Sequence, residues 1–134
     1  TMDDTFENYE SPGLIFKEES FKFIGICIEV HKILGRGFLE IIYKDAVEIE
    51  LKKANLFYER EKQFDIIYKG EKLNHSFFAD FVYDDKIMIE IKAQGEIVDA
   101  HYTQVINYLA VSKLRLGLII NFGEDILKVK RIVL

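Results

Sequence analysis

The stretch FFADFVYDDKIMIEIK, residues 77–92, decides the fold. Its second half alternates strictly, so that in a strand Ile87, Ile89 and Ile91 leave on one face and Met88, Glu90 and Lys92 on the other. Its first half carries Asp80 among aromatic and aliphatic residues and returns antiparallel through Asp84-Asp85-Lys86. A two-residue turn would set Asp80 opposite Ile89 and push a charge onto the isoleucine face, at a cost on the order of several kcal/mol. A three-residue turn over 84–86 pairs Phe81 with Ile89 and Ala79 with Ile91, gives one apolar face, and sets Asp80 opposite Glu90. That is the expected register. Two carboxylates so placed have Cβ atoms about 5 Å apart and repel. A divalent cation held by oxygen ligands resolves the repulsion, and hard carboxylates favour Mg²⁺ or Mn²⁺. Lys92 projects to the same spot, where it can steady a hydroxide or the charge developing on a phosphoryl group. Glu-Ile-Lys alone is a common solvated strand pattern; the acid inside FFADFVY makes this one stand out.

Working outward from the hairpin, residues 57–68 read as one long strand, Lys69–Lys72 as a turn, and Leu73–Tyr83 as the returning strand. Toward the N-terminus, FKFIGICIEVHKIL after Ser20 reads as a helix with two apolar stripes, ended by Gly35-Arg36-Gly37. A second helix over about 38–54 has the core stripe Tyr43, Val47, Leu51 and Ala54, with Glu40 on the same stripe. As a first-turn acid, Glu40 is as well explained by the helix dipole as by a site. Ile42, Ala46 and Ile49 form a spare apolar line, which raises the expectation of a homodimer. Beyond the hairpin, Val98–Lys113 fits a helix facing the core through Val98, Tyr102, Val105, Ile106 and Leu109. His101, Gln104 and Tyr108 form a polar stripe along its edge. LGLIINF (116–122) reads as a central strand covered on both faces, and ILKVKRIVL (126–134) as an alternating edge strand. The order ααβββαββ gives an α/β fold, a mixed central sheet flanked by helices.

The 134 residues allow one domain, expected over 19–134, with residues 1–18 as an N-terminal tail. The single Cys27 excludes a disulfide framework, and His31, His75 and His101 are too few and scattered for a Cys/His zinc site. His31, alone on an apolar face, reads as a satisfied core histidine. Lys128, Lys130 and Arg131 read as edge-strand lysines and arginine that block aggregation. No apolar run is long enough for a membrane span, and the first fifteen residues are acidic where a secretory signal is basic and then apolar, so the expectation is a cytoplasmic protein with no membrane partner. A net charge of −5 argues against bulk electrostatic binding of nucleic acid; contact with DNA must be local to one site.

Gly37-Phe38-Leu39-Glu40-Ile41-Ile42-Tyr43 matches the G-x-x-E-x-x-Y signature, and IEVHKILG, ADFVYDDKIMIEIKA, QVINYL and GLIINFG follow in family order. Over residues 20–134 the chain resembles the GxxExxY protein family of the PD-(D/E)XK nuclease-like superfamily. The resemblance implies a restriction-endonuclease-like core, with Asp80 as the acid of the first half-motif and Glu90 and Lys92 as the E-x-K of the second. It implies that Glu40 is the extra acid on a preceding helix, and that Gln104 and Tyr108 are the Q-x-x-x-Y motif of RecB-type members. Ala79 stands where the half-motif name has proline, Phe78 where a basic residue is common, and Arg36 where the family's turn often has proline. The function implied is a Mg²⁺- or Mn²⁺-dependent nuclease hydrolysing DNA phosphodiesters, with Glu40, Asp80 and Glu90 as metal ligands. The alternatives are a non-catalytic nucleic-acid- or protein-binding module that keeps the fold, and a small-molecule phosphohydrolase.

Overall fold

A computed structural model describes residues 14–134. Most of the expected tail therefore lies outside the described residues. Helix α1 (Lys17–Leu34) begins three positions before Ser20, which lies buried within its first turns with its hydroxyl donating to the Lys17 carbonyl at 3.0 Å. Glu18 and Glu19 in the first turn suit the helix dipole. α1 ends at Gly35, where φ is 69°, and a second positive φ of 109° at Gly37 completes the reversal into α2 (Glu40–Lys53).

Seven strands follow: β1 (Tyr58–Phe64), β2 (Ile67–Tyr68), β3 (Glu71–Lys72), β4 (Phe77–Tyr83), β5 (Ile87–Lys92), β6 (Leu116–Asn121) and β7 (Lys128–Val133), with helix α3 (Asp99–Ser112) between β5 and β6. The main sheet has the order β1-β4-β5-β6-β7, and β2-β3 forms a separate short ribbon. β5 and β6 are parallel and the other neighbours antiparallel, so the sheet is mixed. The long strand expected over 57–68 is thus two pieces, and the return starts at Phe77, because the exposed stretch from Ile67 to His75 has no core to pack on.

The isoleucines of β5 do as their alternation requires. Ile87, Ile89 and Ile91 join Phe23, Tyr43, Leu51 and Leu118 in the larger core under α1 and α2. Met88 joins Val105, Leu109 and Ile119 in the smaller core under α3. Every residue of β6 is buried, as expected of a strand covered on both faces, and β7 lies at the edge. Three expected core positions are corrected: Ala54, Val98 and Ile106 are exposed, the first at the C-cap of α2, the second at the extended N-cap before α3 and the third turned off the inner face of α3. The second stripe of α1 also runs out at its end, where Ile33 is 69% exposed near the 53% exposed Ile49 of α2.

α3 approaches β6 closely because Gly117 has no side chain: a Cβ there would lie 2.6 Å from Val105 Cγ1 and 3.4 Å from Leu109 Cδ1. Gly117→Ala should therefore force α3 outward and lower stability by about 1–3 kcal/mol, read as a lower midpoint in urea with an unchanged m-value. An unchanged midpoint would show that the helix is not held at that distance.

Candidate active site

The turn between β4 and β5 has the three-residue length that the isoleucine register requires. Tyr83 pairs with Ile87, Val82 with Met88 and Phe81 with Ile89, while Asp84 and Asp85 both take positive φ. The ladder stops there. The next β5 amide directed at β4, Ile91 N–H, donates at 2.7 Å to Asp80 Oδ2 instead of to a strand carbonyl. The two strands fork at Asp80, and its carboxylate fills the fork.

A matching break lies on the other side of β4. β1 pairs with β4 on both sides of the Glu61/Asp80 position but not at it, and Glu61 has a φ of 52°, rare for a residue with a side chain. The faces exchange across this break. Tyr58 and Phe81 pack in the α1/α2 core, whereas Phe64, Phe77 and Ala79 pack in the α3 core. The expected pairing of Ala79 with Ile91 on one apolar face is therefore corrected: the local disruption at Glu61 and Asp80 turns Ala79 to the opposite layer. It also turns Asp80 so that one oxygen meets β5 and the other meets α2.

That second oxygen binds Lys44, a residue the sequence reading did not single out. Lys44 Nζ lies 2.8 Å from Asp80 Oδ1, 3.4 Å from Glu61 Oε1 and 3.5 Å from Glu40 Oε2. Its side chain is 12% exposed, and that of Asp80 10%. Burial works against the Lys44 ammonium, yet hydrogen bonding and charge from Asp80, then the charges of Glu61 and Glu40, outweigh it and hold its pKa above the usual value. The i,i+4 spacing of Glu40 and Lys44 was the signal that could have found it. No pattern announced Glu61, since its backbone conformation is set by tertiary structure.

The signature turn fixes this helix. Tyr43 is fully buried, stacks on Phe122 with ring centroids 4.6 Å apart, and donates its hydroxyl to the Gly35 carbonyl at 2.6 Å. The same oxygen accepts from Phe38 N–H at 3.2 Å. Both ends of the glycine turn are thereby tied to one side chain, and Glu40 and Lys44 start α2 pointing at the fork.

Glu90, on the α3 side of β5, is 5% exposed, and its Oε1 has no hydrogen-bond partner. Burial first, then the neighbouring Asp80 carboxylate, raise the Glu90 pKa far above the carboxylate range, with the Lys92 charge opposing. Lys92 is half-buried and makes no ion pair among the described residues. Tyr108 stacks face to face on Phe77 at 3.8 Å, and burial followed by the Glu90 charge raises its pKa. Gln104, exposed one helical turn earlier, lies beside it and opposes that rise. The expected Asp80, Glu90, Lys92, Tyr108 and Gln104 thus share one region, and Glu40 joins through Lys44. His31 is a core histidine whose Nε2 meets the Glu124 carbonyl at 2.9 Å, and His101 Nδ1 accepts from Val98 N–H at 3.2 Å at the start of α3.

Among the described residues, no three His, Cys, Asp or Glu side chains converge as a ready metal cage. Lys44 bridges Glu40 and Asp80 as a cation would. The oxygens a divalent ion would use, Asp80 Oδ1, now held by Lys44, and the buried, unpartnered Glu90 Oε1, are hard donors of the kind Mg²⁺ or Mn²⁺ takes, so the residues present fit such an ion.

The family model of the PD-(D/E)XK nuclease superfamily matches residues 17–132. No curated protein matches the chain significantly. Among solved structures, that of SSO0001 aligns with a TM-score of 0.55 at 23% identity, over 88% of this chain and 57% of that one. This chain therefore spans little more than half of SSO0001, and the likeness is one of fold. Among the described residues no helix is long and apolar enough to cross a membrane.

A carboxyl whose pKa is raised by folding stabilises the fold only while protonated: its contribution is complete below the unfolded value of about 4.3 and is lost as pH rises toward the folded value. Metal-free Glu90→Gln should accordingly melt higher than the native protein at pH 7–8, by about 3–6 °C for each kcal/mol, and the gap should close near pH 4. A native protein as stable as the variant at pH 8 would show that Glu90 bears its charge without strain.

Proposed function

Because the chain belongs to the PD-(D/E)XK nuclease superfamily, whose members typically use divalent metals, we propose that it hydrolyses DNA phosphodiester bonds with Mg²⁺ or Mn²⁺, as a nuclease of the GxxExxY type. The observation that carries the reading is the buried pair Asp80 and Glu90, with Glu90 Oε1 unpartnered and Lys92 two residues along the same strand. In this reading Asp80, Glu90 and Glu40 hold the ion, which when bound supplies charge neutralisation and a more acidic water. Lys92, unpaired and half-buried, orients the attacking water and meets charge on the phosphate oxygens. Gln104 and Tyr108, one helical turn apart on α3 and with Tyr108 fixed by the Phe77 stack, position the substrate strand beside the carboxylates. With a net charge of −5, DNA contact is confined to this region, and binding should weaken with added salt only as steeply as a few phosphate contacts require. The exposed Ile42 and Ile49 on α2 support a homodimer, which light scattering at micromolar concentration reads directly.

A second reading, a non-catalytic module that keeps the fold, is favoured by one observation: Lys44 already satisfies Asp80 without a metal. Labelled single- and double-stranded DNA incubated with Mg²⁺ or Mn²⁺ separates the two. The nuclease reading expects cleavage that falls about 100-fold or more in both Asp80→Ala and Lys92→Ala. Absence of cleavage by the native protein, or cleavage untouched by either substitution, would remove it.

A further inference from the structure

We propose that Lys44 is the protein's resident counterion at the carboxylate site, and that a divalent cation binds there by exchange, displacing the Lys44 ammonium from Asp80. The inference rests on the metal-dependent reading above and concerns how that site is loaded.

Asp80 has two oxygens, and each is committed. Oδ2 accepts the Ile91 N–H at 2.7 Å, a bond that closes the fork between β4 and β5 and cannot be released without exposing a buried amide. Oδ1 is the oxygen left for a cation, and Lys44 Nζ holds it at 2.8 Å. The same ammonium collects Glu61 at 3.4 Å and Glu40 at 3.5 Å, so three acids from α2, β1 and β4 share one positive charge. A divalent ion on Oδ1 would stand within a few ångströms of that ammonium in a largely buried place, where like charges repel strongly. The ion and Lys44 therefore compete for one oxygen. Glu90 Oε1, buried and unpartnered, is out of Lys44's ion-pair reach, which leaves it for a second ligand of the incoming ion. Lys44 has somewhere to go, because its long stem can carry the ammonium outward to Glu61, whose side chain is 47% exposed.

The exchange makes metal affinity weaker than the carboxylates alone would give. Chelator-stripped protein is titrated with Mn²⁺, binding being read from loss of the free-ion electron paramagnetic resonance signal, with circular dichroism to check folding. Lys44→Met and Lys44→Gln should bind Mn²⁺ about tenfold or more tightly than the native protein, while Lys44→Arg, which keeps the charge, should not. Without metal both neutral variants should melt lower than the native protein, having lost the counterion of Asp80, and Mn²⁺ should raise their melting temperatures by more. A merely structural lysine would give unchanged or weaker Mn²⁺ binding in the neutral variants, and that result overturns the proposal, as does absence of Mn²⁺ binding to every form. Tighter Mn²⁺ binding without DNA cleavage would uphold the exchange and reject the nuclease reading.

Discussion

Two acids buried side by side at a fork in a sheet are the constraint around which this protein is built. Asp80 and Glu90 are 7% and 5% exposed, and neither could be placed there charged and unpaired without a desolvation cost larger than the stability of a typical small domain can absorb. Three devices meet that cost. The Ile91 amide binds one Asp80 oxygen, the Lys44 ammonium binds the other, and the proton favoured on Glu90 removes the second charge. Two of them come from β5 and one from α2, and all act on carboxylates of β4 and β5, so the site is intact only when β5, α2 and β4 are all in place.

The glycine turn before α2 takes its meaning from that arrangement. Gly35 and Gly37 allow the reversal, and the Tyr43 hydroxyl locks it from both sides while its ring sits on Phe122 in the main core. Glu40 and Lys44 are one helical turn apart on the helix so fixed, which brings an acid and a base to the fork together. The signature residues Gly37, Glu40 and Tyr43 thus act first as a mount, and the ion pair with Asp80 extends the mount to a residue outside the signature.

What the sequence made legible was whatever obeys a fixed period. The alternation of Ile87, Ile89 and Ile91 determined the hairpin register as far as Phe81 with Ile89, and the cost of a charge on that face selected the three-residue turn. Asp80, Glu90 and Lys92 came from the same argument. Illegible were the places where the period breaks. Glu61 takes a left-handed backbone inside a strand, and the exchange of faces that follows moved Ala79 to the other core. Lys44 was not singled out, because its i,i+4 spacing from Glu40 says nothing of the carboxylate that β4 brings to it. These are effects of packing between segments distant in the chain, and a single sequence carries no direct mark of them.

Anomalous diffraction from crystals soaked in Mn²⁺, recorded at the manganese edge, tests the central claim most directly. The account predicts one strong peak bonded to both Asp80 and Glu90, with the Lys44 ammonium moved off Asp80 Oδ1. A peak elsewhere, or none while Lys44 keeps its 2.8 Å contact, would contradict it.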